Sequence, residues 1–148
     1  MSTNSGILWA DITEGQALAP LTFPITYSTL AKDVAGTRDL YPIHHDPAFA
    51  KGNGARDIFL NTMFYQGLIG RFVNAWAGPQ SFLRKLSISM TAHGCPGDVL
   101  TLRGTVSRAY RGENGVALVD LAVSIDNHDS TGHDHTGAVV ARVTVEIP

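Results

Sequence analysis

The stretch Thr62–Ala77 restricts the possible folds more than any other part of the chain. Phe64, Leu68, Phe72 and Trp76 recur every fourth residue, with Ile69 and Val73 beside them, so the spacing predicts a helix. Asn61 is a suitable N-cap, and Gly78-Pro79 ends the run. The apolar positions cover too much of the circumference for simple surface docking, so a sheet is expected to curl around this helix. Beyond it the period changes to two. Leu86, Ile88, Met90 and Ala92 alternate with Ser87, Ser89 and Thr91, and a Gly-Cys-Pro-Gly turn follows at Gly94. Further strands are predicted over 99–110, 116–125 and 138–147. Upstream, residues 18–27 read as an edge strand in which Pro24 costs one ladder hydrogen bond. Ser28 is positioned to cap a short helix over 29–35 that Gly36 ends. One long apolar helix followed by antiparallel strands is an α+β plan.

At 148 residues the chain has the length of one domain, 1–148, with residues 1–9 forming a flexible N-terminus. Charged residues are only 16%, against about 25% in average domains, which points to surface covered by a partner chain. A formal charge of −2 argues against general nucleic-acid binding. The single cysteine, Cys95, excludes an internal disulfide and fits a reducing compartment. The N-terminus has no basic region or apolar signal core, and the apolar stretch over 63–77 is too short to span a bilayer. A soluble, cytoplasmic protein is expected, with no membrane association.

Residues 39–50 read DLYPIHHDPAFA. Asp39 lies five positions before His44, and Pro42 and Pro47 forbid a continuous helix there. Such a turn can set a carboxylate and an imidazole side by side, facing one cavity. That pairing suits the movement of two protons at adjacent carbons, one group taking a proton from water while the other delivers one. On chemistry alone, a buried His and Asp that only stabilise the turn are the plainer reading of the pattern.

Asp39, Pro42, Ile43 and His44, followed after five residues by Ala50, resemble the signature of the MaoC-like dehydratases, the (R)-specific enoyl-CoA hydratases. The signature's Asn position is Tyr41 here, either a packing residue or a substitute for the Asn in ordering the turn. The long helix beginning at Thr62, the strands after Ser81 and the Gly97-Asp98 turn extend the likeness over roughly residues 10–148. The resemblance implies a hotdog fold and reversible addition of water to a trans-2-enoyl-CoA, giving an (R)-3-hydroxyacyl-CoA. It implies that Asp39 and His44 hold the water. It also implies that a backbone N–H at the start of the long helix, here at Thr62 after Asn61, meets the thioester oxygen. A plain capping pair is the other reading of Asn61 and Thr62. No metal and no cofactor beyond the CoA of the substrate are implied. A homodimer, or a heteromer with a second hotdog subunit, is expected as the assembly. Within the family, Arg38 to Asp46 and the run Asp-Ile-Phe-Leu-Asn-Thr look most like subunits associated with steroid side-chain degradation. A hotdog acyl-CoA thioesterase and a non-catalytic assembly subunit are the competing readings. The absence of Asp or Glu from the long helix counts against the first.

Other candidates carry less. Residues 126–137 hold His128, His133 and His135 with three Asp, and read as a mobile polar loop rather than a metal frame. Asp46 before Pro47 reads as a helix cap, His93 as a strand-end residue, and Cys95 as a turn residue with no base beside it. Arg38, Arg56, Arg84, Lys85 and Arg103 are the available cations for a CoA phosphate, and each reads as a solvated charge. No glycine-rich nucleotide loop, zinc frame or nucleophile elbow is present.

Overall fold

The computed structural model describes residues 6–148. The chain order is β1 (Leu21–Pro24), α1 (Tyr27–Thr37), α2 (Pro47–Gly52), α3 (Thr62–Ala77), β2 (Phe82–Met90), β3 (Val99–Arg111), β4 (Ala117–His128) and β5 (Asp134–Ile147). The five strands form one antiparallel sheet in the order β1-β3-β4-β5-β2. This is the expected α+β plan.

Register puts one apolar row on the inner face. Gly104 pairs with Val123 and Val123 with Ala141, while Leu102 pairs with Ile125 and Ile125 with Val139. α3 presents Tyr65, Leu68, Ile69, Phe72, Val73 and Ala77 to that row. The helix lies close to the sheet at Gly104, where an added Cβ would stand 2.9 Å from Phe72 Cε1. The helix has one buried stripe, and Met63, Gln66, Gly67 and Arg71 face outward.

α1 starts two residues earlier than Ser28 suggests. Thr26 caps it, its hydroxyl accepting from the Thr29 N–H while Thr29 Oγ1 accepts from the Thr26 N–H. Thr26 and Thr29 have the three-residue spacing of a capping box, and Ser28 does not. Asp46 caps α2, accepting from the N–H groups of Ala48 and Phe49 with Pro47 at the first position. The polar stretch 126–137 is not a mobile loop. Most of it belongs to β4 and β5, and Asp129 closes the hairpin by accepting from the N–H groups of Thr131 and His133.

Of the N-terminal stretch 1–9, positions 1–5 lie outside the described residues. From Ile7 onward the chain packs instead of standing free, with Ile7 and Trp9 against the core. Among the described residues no helix is long and apolar enough to cross a membrane.

Candidate active site

The segment between α1 and α2 is shaped by local backbone constraints. Arg38 takes the left-handed conformation at the end of α1 (φ 57°). Asp39 follows, Tyr41 is extended before Pro42, and Pro42–His44 makes one 3-10 turn. That turn drives His44 inward until it is 8% exposed. Its Nδ1 lies 2.7 Å from the carbonyl oxygen of Phe59. A carbonyl can only accept, so Nδ1 carries the proton and a neutral ring keeps its lone pair on Nε2. Nε2 stands 3.4 Å from Asp39 Oδ2. Asp39 Oδ1 accepts from the Tyr41 N–H at 3.3 Å, which aims the other oxygen at the imidazole. A carboxylate oxygen and an imidazole lone pair side by side form two acceptors, matched to the two protons of one water.

Tyr41 contributes its N–H to this turn. Its ring stands edge-on to Phe49 with centroids 5.6 Å apart, which favours the packing role for the side chain. His45 holds the same turn from outside through Nε2 to the Leu40 carbonyl, at 3.1 Å.

Asp39, His44, Asn61 and Thr62 line one cavity of about 500 Å³, with Phe59 and His93 on its wall. All four residues singled out by sequence therefore meet. Asn61 caps α3, its Oδ1 accepting from the Phe64 N–H at 2.9 Å. The Thr62 hydroxyl turns to Met90 Sδ at 3.5 Å. The Thr62 N–H donates no hydrogen bond among the described residues and sits at the positive end of the helix. The cap is made by the Asn61 side chain and leaves the neighbouring Thr62 N–H at the helix start unused.

Sequence reasoning missed three contributors. Phe59 and His93 rings stack with centroids 3.8 Å apart, and Phe59 meets His44 edge-on at 5.2 Å. Desolvation first, and His44 second, push the His93 imidazole below its ordinary value. His93 is not at a strand end: it lies in the connection between β2, which ends at Met90, and β3, which begins at Val99, and that connection carries it to the cavity wall. The third is Asp33, 3% exposed, whose Oδ2 accepts from the Asn61 N–H at 3.0 Å. Burial pushes its carboxyl upward, against the pull of that N–H. The available signal was its spacing, since Asp33 follows Leu30 by three residues and precedes Thr37 by four on one helix face.

The cations considered for a CoA phosphate do not line this cavity. Arg56 binds buried Asp98 at 2.7 Å, Arg84 pairs with Glu146, and Arg103 reaches Asp126 at 3.5 Å. In the hairpin, His128 pairs with Asp134 and His135 with Asp129. Among the described residues no group of three or more metal-ligating side chains converges.

A long helix against a five-stranded antiparallel sheet is the hotdog fold, shared with MaoC-like dehydratases and R-hydratases of known structure. The chain resembles them in sequence and in fold. Over 83 residues it is 33% identical to the 3-oxo-4,17-pregnadiene-20-carboxyl-CoA hydratase beta subunit of Mycobacterium tuberculosis. That match covers 56% of this chain and 64% of the relative, less than two thirds of its length. The ChsH1-ChsH2 complex from Mycobacterium tuberculosis superposes with a TM-score of 0.78 at 26% identity, covering 92% of this chain and 98% of that one. The R-hydratase PhaJ1 from Pseudomonas aeruginosa gives 0.81 at 22% identity, over 97% of this chain and 86% of that one. The (R)-hydratase from A. caviae involved in PHA biosynthesis gives 0.78 at 23% identity, over 93% and 98%. No family model matches the chain.

Proposed function

We propose that this chain is a hydro-lyase that adds water reversibly to a trans-2-enoyl-CoA, giving an (R)-3-hydroxyacyl-CoA. The observation that carries this reading is the pair of acceptors, His44 Nε2 and Asp39 Oδ2, lining one cavity with the free N–H of Thr62. In the proposed step a water held between the two acceptors gives up one proton to them as its oxygen bonds to the β-carbon. The π electrons move toward the thioester, whose oxygen gains enolate character and meets the Thr62 N–H. The pair then returns a proton to the α-carbon, so the sum is addition of one water. The two groups exchange protons as a unit, and the site needs no cofactor beyond the CoA carried by the substrate.

The sequence likeness to a beta subunit named for a pregnadiene carboxyl-CoA supports a bulky, steroid side-chain acyl group. It also supports assembly with a second hotdog subunit, with a homodimer as the simpler alternative. The thioesterase reading gains nothing, because α3 itself carries no carboxyl and Asp33, which accepts from the Asn61 N–H at its start, does not line the cavity.

The test is hydration of crotonyl-CoA and of a pregnadiene carboxyl-CoA, followed by absorbance of the conjugated thioester, with the chain alone and co-expressed with a second hotdog subunit. Asp39→Asn and His44→Ala are each expected to lower kcat by about 100-fold or more, the range of acid–base contributions. Full rate in both variants, or release of free CoA from saturated acyl-CoA in place of hydration, would overturn the reading.

A further inference from the structure

The end of α1 touches both halves of this site through one oxygen. The Thr37 hydroxyl donates to the carbonyl of Asp33 at 2.7 Å. It accepts from Nδ2 of Asn61 at 2.8 Å and from the backbone N–H of Asp39 at 3.4 Å. A hydroxyl has one proton and two lone pairs, and all three are used. Four residues earlier on the same face, Asp33 Oδ2 accepts from the backbone N–H of Asn61. Asn61 is therefore held by α1 at its backbone N–H and its side-chain amide, while its own Oδ1 caps α3. The next N–H along the chain is that of Thr62, and the Asp39 backbone hangs from the same threonine.

We propose that Thr37 is a positioning residue that, braced by Asp33, sets the distance between the Asp39–His44 pair and the N–H of Thr62. This rests on the hydratase reading of the cavity. The attacking water and the thioester oxygen belong to opposite ends of one conjugated system, so their two holders must keep a fixed separation. An error of about 1 Å in such a separation can cost on the order of 100-fold in rate. Thr37 ties the holders together without touching substrate. A hydroxyl that merely closed the last turn of α1 would affect stability and leave turnover alone.

Thr37→Val preserves the side-chain shape and removes the hydroxyl. With crotonyl-CoA, in the assembly that gives wild-type activity, kcat is expected to fall about tenfold or more with KM within about twofold. Thr37→Ser, which restores the oxygen, is expected to recover most of that loss. Circular dichroism and melting fix the folded fraction of each variant. Should Thr37→Val not fold, Thr37→Ala removes the same oxygen with a better helix former and serves in its place. Wild-type kcat in the folded variant, or a loss matching only its unfolded fraction, overturns the proposal and leaves the hydratase reading standing. A wild type that hydrates no enoyl-CoA, alone or with a second subunit, overturns that reading and the role of Thr37 together.

Discussion

Two buried aspartates show how the same residue type is used in opposite senses. Asp98, with its side chain fully buried, accepts from the Cys95 and Ser130 N–H groups, from Arg56 and from Asn127. Those donors outweigh its burial, which is the largest single influence and acts the other way, and hold the carboxyl below its ordinary value. Its contribution is therefore complete above the unfolded carboxyl value and is lost as pH falls through the lower folded value. Asp33 is shifted upward by burial, so its contribution is complete below the unfolded value and is lost as pH rises through the folded one. Asp98→Asn is expected to destabilise at pH 7 by about 1–3 kcal/mol, while Asp33→Asn raises the melting temperature there. Both differences should shrink on acidification, and melting curves between pH 3 and pH 8, on the order of the carboxyl range and above, check them. Equal and pH-independent shifts would contradict both assignments. Asp39 and His44 were legible because they lie within one turn of a recognisable motif. Asp33 and Thr37 were not, because their partner Asn61 is 28 and 24 positions away.

At the scale of elements, patterning located the strands and misjudged their ends wherever the pleat slips. β2 begins before Leu86 because the irregularity between Leu83 and Lys85 breaks the alternation that marks the rest of the strand. β4 and β5 extend into the stretch 126–137 through another irregularity, between Ile125 and Asn127, beside Gly137 with φ 63°. There polar residues form ladder pairs, Asn127 with His135 and His128 with Asp134. Periodicity of apolar residues cannot report a strand built from polar ones. The contact of α3 with the sheet supplies a direct test. Gly104→Ala would press a methyl against Phe72 and Leu18, and is expected to cost about 1–3 kcal/mol in urea unfolding. An unchanged midpoint would mean that the helix can move off the sheet at no cost.

For the whole molecule, the sheet order leaves β1 and β2 as edges. β2 is nine residues long with only Arg84 and Lys85 charged, and Phe82 at its start is 60% exposed. An edge of this length with so little charge is poorly protected against pairing with another chain. Together with the low charge fraction, this predicts an assembly of at least two hotdog units. Light scattering is expected to give at least twice the 15.8 kDa of one chain, for the chain alone or co-purified with a second hotdog subunit, and a monodisperse monomer at micromolar concentration in both preparations would refute it. The sequence by itself determined the α+β class, the central helix, the strand count after it and the Asp39–His44 pair. Each of these rests on residues close enough in the chain to leave a period or a motif. Only the tertiary structure decided that Asn61 and Thr62 face that pair across one cavity, that His93 stacks on its wall, and that α1 braces both sides. These relations join residues tens of positions apart, which leave neither a period nor a motif in the sequence, and only the folded chain brings them together.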